Sequence, residues 1–354
     1  MGLPEILINF KNKASTAIRR SSRGVVCLVI KDSTKETAKH EYKEIQDVIK
    51  EDWTSENYKI IEETILSGPI KVIVFRLGTD KAIADIKPEL DATIFDWMCS
   101  ISTDQTDVVA YVKARNLASM DRKIKAVTFK ATAPDDEHVV NFVNEKIKRK
   151  SNASEVEGWK YLGRLTGILA AMPFTKSSAY FRLEDLERVI EPADVNKAIN
   201  EGGFVIINDF GEPKIGRGVN SLTTIKETQN EDWKSIAIIE AMDLIRADIY
   251  ESFKKDYVGQ LKNKYENQCL FISSVNQYFD ALAKEDILSA EYDNHAEIDL
   301  EAQKRAWVKS GVEEATSWSD MDVKKRPFKK QIFLDGKLMI LDAMEDMVFN
   351  IGIV

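Results

Sequence analysis

At 354 residues, 44% of them hydrophobic, the chain is long enough for at least two cores, because a single core stops growing at roughly 250–300 residues. Its formal charge of -8 argues against nucleic acid as a partner of the whole chain, and no apolar run nears the ~20 residues that a membrane helix needs. Three scattered cysteines and three isolated histidines lack the spacing of a disulfide scaffold or a metal site, and no export signal opens the sequence. A soluble protein made in a reducing compartment is expected.

Residues 1–22 come first. Leu3, Ile6, Ile8 and Phe10 alternate only in part, which suits an extended arm that needs something to pair with. Gly24–Ile30 is apolar on both faces and reads as a central strand of a covered sheet. Lys39–Ile49 reads as a short helix. Ser55–Leu66 is a better one, with Ile60, Ile61 and Ile65 in register and Gly68-Pro69 as its stop. Ile70–Leu77 is the second strand, so the order strand, helix, strand gives α/β character.

Lys81–Leu90 and Thr103–Met120 are expected to be helical, the latter with Val108, Val109, Val112, Leu117 and Met120 in one stripe. Ile124–Lys130 is the third strand, and Asp136–Phe142 reads as helical or mixed. Tyr161–Ala171 is helix-like despite two glycines, and Val195–Glu201 is a short helix before Gly202-Gly203. Phe204–Ile207 and Lys214–Ile215 flank Asn-Asp-Phe-Gly as a hairpin.

The hairpin leads to Gly216–Thr224, GRGVNSLTT. It lacks the closing Gly-Lys-Ser/Thr of a phosphate-binding loop, and Val219, Leu222 and Ile225 read as strand. Gly216 and Gly218 are expected to serve tight backbone geometry, and Arg217 and Asn220 to act as polar fasteners. The alternative is an anion site at the Gly216–Gly218 turn.

Asp232–Tyr250 reads as a long helix capped by Asp232, on which Asp243 and Arg246, three residues apart, are expected to form a buried or interfacial ion pair. Phe253–Asn267 continues helical and Cys269–Leu282 is another helix; Ile298–Val308 is ambiguous. The basic run Lys324–Lys330 is a solvated face or a seam against a neighbour. Asp335-Gly336 is expected to turn a hairpin. The chain closes on an apolar strand with Val348, Phe349, Ile351 and Ile353, which must be buried in its own core or donated to a partner.

Candidate chemistry is thin. Asp80, Asp85, Asp104, Asp107, Asp135, Asp136 and Glu137 lack an apolar setting that would suit acid catalysis, and Cys27 lies inside a strand. No G-x-S-x-G or H-E-x-x-H occurs. No catalytic residue, cofactor site or metal site is therefore assigned, and an enzyme is not expected.

Several stretches carry a family resemblance. They are GLPEILINFKNKASTAIRRSSRGVVCLVI at the start, VVAYVKARN at Val108–Asn116 with KIKAVTF at Lys123–Phe129, and TGILAAMPFTKSSAYF at Thr166–Phe181. NEGGFVIINDFGEPKIGRGVNSLTT at Asn200–Thr224 is the most specific, followed by AMDLIRADIYESFKKDYVGQLKNKYENQ at Ala241–Gln268. Over nearly its whole length the chain resembles the tail sheath proteins of contractile injection machines: myovirus tails, R-type bacteriocins and phage-like particles. It looks like the short Gram-positive form found in defective prophages and clostridial bacteriocins. The resemblance implies an α/β sheath core domain at 23–205 and an inner C-terminal α+β domain at 206–335, with linking arms at 1–22 and 336–354. It implies a homo-oligomer, six-fold helical or of stacked rings, around a tail tube protein, closed by baseplate and tail terminator proteins. It implies no nucleic-acid or membrane binding by the sheath itself, assembly in the host cytoplasm, and release in the particle by lysis. The arms Leu3–Phe10 and Val348–Ile353 would add strands to a neighbour's sheet. A dispersed-site α/β enzyme is the alternative; a tail-tube or baseplate protein fits less well.

Overall fold

The computed structural model describes residue 18, residues 23–101 and residues 105–352. The expected arm residues Leu3, Ile6, Ile8, Phe10 and Ile353 lie outside them. The described residues fall into two compact units, 23–247 with 341–352, and 248–340.

The first unit is built on β1 (Val25–Lys31), whose residues Val26 to Ile30 are wholly buried. β2 (Ala38–Tyr42), α1 (Ser55–Ile65), β3 (Lys71–Leu77), α2 (Lys87–Ala92) and β4 (Trp97–Ser100) follow. Then come α3 (Gln105–Ala118), β5 (Lys125–Phe129) and β6 (Val139–Phe142). Next are the small strands β7 (Lys146–Arg149) and β8 (Val156–Glu157), then α4 (Leu162–Ala171), β9 (Leu186–Val189), α5 (Val195–Asn200) and β10 (Gly203–Phe204).

Seven strands form one sheet in the order β10-β6-β5-β4-β1-β3-β2, and only β2 at the edge runs antiparallel to its neighbour. Alternate side chains of β1 point to opposite faces. Val26, Leu28 and Ile30 pack with Ile60, Ile61 and Ile65 of α1 and Leu162, Leu165 and Ile168 of α4. Cys27 and Val29 pack on the other face with Leu90 of α2 and Val108, Val109 and Val112 of α3. Each such side chain contributes roughly 1.5–3 kcal/mol on burial, so the two-sided run explains why this strand is central.

The two glycines of α4 have a packing reason. A Cβ at Gly163 would lie 2.3 Å from Thr64 Oγ1, and one at Gly167 would lie 2.7 Å from Thr64 O. They let α4 approach α1 closely, which outweighs their low helix propensity.

Several expectations are corrected. Lys39–Ile49 is not a helix: it holds edge strand β2 and a single 3-10 turn at Ile45–Asp47, since Tyr42 is its one well-buried apolar residue before Val48. Asp136–Phe142 ends in strand β6. Leu117 and Met120 stay outside the α3 stripe, 87% and 76% exposed, because Asn116 turns inward and bonds both N and O of Ile124.

β11 (Ile206–Asp209) and β12 (Glu212–Ile215) form the expected hairpin. Phe210 and Gly211 both have positive φ, 49° and 83°, as a type I′ turn requires. α6 (Ile236–Asp256) then belongs to both units, which divide between Ala247 and Asp248. Ser235, not Asp232, sits at its N-terminal cap: the Ile238 amide bonds Ser235 Oγ and Asp232 lies in a preceding 3-10 turn.

The second unit contains the end of α6, α7 (Tyr265–Lys284), β13 (His295–Ile298), α8 (Leu300–Lys309), α9 (Asp320–Lys325) and β14 (Leu334–Lys337). Phe253 and Tyr257 pack against Phe271, tilted and edge-on with ring centroids 5.0 and 4.8 Å away, and Tyr278 Oη donates to Asp248 at 2.6 Å. Trp307 packs edge-on against Phe328, while Arg326 of the basic run lies over Trp318 at 4.4 Å. Asp335 and Gly336 do not turn a hairpin. They lie inside β14, which pairs antiparallel with β13, and a Cβ at Gly336 would sit 2.8 Å from His295 O. The glycine serves a close strand contact instead.

Candidate assembly site at the roots of the two termini

The GRGVNSLTT stretch is a stitched seam. Gly216 N donates to Val205 O at 2.8 Å, and a Cβ on Gly218 would meet the hydroxyls of Ser177 and Ser178 at 2.8 and 2.9 Å. Asn220 is 1% exposed; its Nδ2 donates to Trp233 O at 2.7 Å and its Oδ1 accepts from Leu222 N at 3.0 Å. Ser221 N donates to Val139 O of β6 at 2.7 Å. Thr223 and Thr224 amides donate to the Asp135 carboxylate. Burial alone would raise that carboxyl, but these bonds hold it well below the usual range. The backbone amides of 219–224 are all engaged by protein acceptors, which ties the stretch to the rest of its unit.

Arg217 faces outward and holds the chain's last segment. Its Nη2 donates to both carboxylate oxygens of Asp346, at 2.6 and 2.8 Å, and its Nε lies 3.6 Å from Glu345. Ser177 Oγ donates to the same Glu345 at 2.7 Å. After Asp346 no strand forms through residue 352, and Val348, Phe349 and Ile351 are 89%, 73% and 71% exposed. The expected terminal strand is thus an exposed apolar tail within its own subunit.

The start of the body is pinned as firmly. Gly24 and Val25 amides donate to Asp96 Oδ2 at 2.9 and 3.0 Å, and Arg122 binds Asp96 Oδ1 at 2.7 Å. Arg23 donates from Nη2 to Asp243 O at 2.5 Å.

The ion pair expected between Asp243 and Arg246 is replaced by another. Asp243 is buried on the first half of α6 while Arg246 is exposed. The partners of Asp243 are Lys125 of β5 at 2.8 Å and the His138 ring at 3.3 Å. Lys125 also reaches Glu240 at 3.2 Å, which accepts from Trp97 Nε1 at 2.7 Å. Burial would raise the Asp243 carboxyl, yet the Lys125 ammonium holds it far below its ordinary value.

Asp136, Glu137 and His138 bring three potential metal donors within 4.8 Å of one another, the one such group among the described residues. The His138 ring is already turned to Asp243. Burial pushes the Cys99 thiol up to about 12 and the Cys27 thiol higher still, so neither is a nucleophile at neutral pH. No described helix is long and apolar enough to cross a membrane. Sequence reasoning named Arg217 but missed its partners Glu345 and Asp346, because nothing local links a loop to acids more than a hundred residues away.

Comparison with known proteins places this arrangement. Residues 228–353 match the model of the phage tail sheath C-terminal domain. The chain is 30% identical, over 98% of both chains, to the tail sheath protein of Clostridium phage phiCD119. In fold it is similar to the sheath tail protein of Desulfitobacterium hafniense, with TM-score 0.68 at 14% identity over 83% of this chain and 94% of that one. It is similar to the sheath tail protein of Listeria innocua, with TM-score 0.65 at 13% identity over 92% and 97%. The contracted helical sheath of the anti-feeding prophage aligns over 99% of both chains, with TM-score 0.68 at 12% identity. The α/β core with its added α+β elements is the sheath architecture, and the chain belongs to the tail sheath protein family, as a structural subunit of a contractile tail sheath.

Proposed function

We propose that copies of this chain stack as a six-fold helical or stacked-ring sheath around a tail tube, between a baseplate and a tail terminator, and that the shift to a shorter, wider packing drives the tube through a target envelope. The work is mechanical and needs no catalytic group, cofactor or bound metal. Assembly takes place in the host cytoplasm, and the particle leaves by lysis.

The observation that carries this reading is the tail. Met347, Val348, Phe349 and Ile351 are each at least 71% exposed, an apolar run that a lone subunit leaves in water. A recipient of matching chemistry exists in the second unit. β13 and β14 form a two-stranded ribbon. Asn276 of α7 binds Ala296 of β13 from both sides of its amide, N to Oδ1 at 2.8 Å and Nδ2 to O at 3.3 Å. That occupies the outer edge of β13 and leaves β14 as the open edge among the described residues. A tail from another copy adds there as a third strand, joined by main-chain bonds that survive rigid-body motion of the bodies on either side. Such a head-to-tail contact generates an open helix or a ring rather than a closed dimer.

A photo-crosslinking amino acid at Phe349 tests this in assembled sheath. The expected product is a crosslink to residues 334–337 of a different copy, seen as a ladder of covalent multimers. Crosslinks confined within single chains would contradict the donated-strand reading.

A further inference from the structure

Two consecutive acids, Glu345 and Asp346, are gripped by a loop that is itself immobilised. Arg217 lies between Gly216 and Gly218, where a Cβ would meet Val205 O and the two serine hydroxyls, and three residues from the buried Asn220. Its fork takes Asp346 in two bonds and approaches Glu345, which Ser177 holds from the other side. Met344 before the clamp is fully exposed and Met347 after it is 87% exposed, so the hold is local to the two acids. The clamp ends between Asp346 and Met347.

We propose that Arg217, aided by Ser177, is a positioning residue for assembly: it fixes the root of the C-terminal arm, Asp342–Asp346, on its own subunit and sets Met347 as the point from which the strand is donated. This rests on the donated-strand reading above. An exposed ion pair adds little to folding stability. Here it acts on a segment with few other ties, and its effect is on reach. Each residue of extended chain spans at most ~3.3–3.6 Å. An arm rooted at Asp346 presents its apolar residues within a few residues' reach of the body. Release back toward Leu341 lengthens the tether and lowers the effective concentration of the strand at its neighbour. The anchor also decides where pull on the arm enters the body, at the rigid seam rather than at the loose segment before it. Arginine suits the task because its planar fork matches a carboxylate in two bonds, which a lysine cannot do.

The test is tube-templated polymerisation of the full chain, followed by sedimentation, for wild type, Arg217→Glu, Asp346→Arg and the double charge swap. Arg217→Glu is expected to raise the subunit concentration needed for sheath growth about fivefold, the scale of one good exposed charge pair, and the swap to restore most of it. In the unassembled subunit, amide exchange of Asp342–Asp346 should quicken in Arg217→Glu while that of the β11–β12 hairpin stays unchanged. Growth of Arg217→Glu at the wild-type concentration or below, or a swap that restores nothing, overturns the proposal. Wild-type protein that grows no sheath, or a chain ending at Asp346 that grows one, would instead sink the donated-strand reading.

Discussion

A chain ending at Asp346 folds like the full-length protein and builds no sheath. The eight residues removed include Val348, Phe349 and Ile351, which are mostly exposed and pack into neither core cluster. Their loss should leave the melting temperature of the unassembled subunit within about 2 °C, since surface changes of this kind usually stay within ~0.5 kcal/mol. Polymer, by contrast, should disappear, because each joint loses its added strand and the apolar area that strand buries. The measurement is a pair: thermal unfolding of the subunit, and electron microscopy of the subunit with its tube. Normal polymers from the shortened chain would show that the tail is dispensable.

Asp243→Asn and Lys125→Met should each destabilise the first unit by about 3 kcal/mol, the low end for breaking a buried pair. That corresponds to roughly 6–12 °C in melting temperature for a domain of this size. Both side chains are 2% exposed, so either change strands the remaining charge out of water. Glu240 lies close enough to Lys125, at 3.2 Å, to soften the Asp243 change. The double variant Lys125→Met with Asp243→Leu should cost less than the two single changes added, because neither member of the pair is left charged without the other. The pair also has a pH signature. The carboxyl of Asp243 is depressed in the folded state, so its stabilisation is complete above the unfolded value of about 4 and erodes only as pH falls below that. Denaturant unfolding at pH 7 and at pH 3 should therefore bring wild type and Asp243→Asn closer together at the lower pH.

The parts of the fold that were legible in sequence are those where one local pattern suffices. Val25–Lys31, Lys71–Leu77 and Lys125–Phe129 are strands because apolar or β-branched side chains cover both faces of a buried sheet. The Ile206–Ile215 hairpin follows from Phe-Gly at its turn. What misled was either short or shared between distant segments. β2 carries Lys39, His40 and Glu41 because it is an edge strand, and that polarity imitates a surface helix. β6 has only four residues. Asp335-Gly336 has the chemistry of a hairpin turn, but the glycine is needed for the approach of β13.

The site divides in the same way. Helical spacing joins Asp243 to Arg246, yet one faces the core and the other water, and the true partner comes from β5. Arg217 could be named as a fastener, but its grip on Asp346 spans 129 residues and leaves no local mark. The two compact units divide inside α6, where the helical pattern runs on without interruption and so leaves no mark in the sequence.

The most direct measurement is an electron cryomicroscopy map of sheath assembled on its tube, at a resolution that traces the main chain. The account predicts that residues 347–352 run as an added strand along β14 of a neighbouring copy, with Arg217 still holding Asp346 in the donor. A map in which that segment folds back on its own subunit would contradict it.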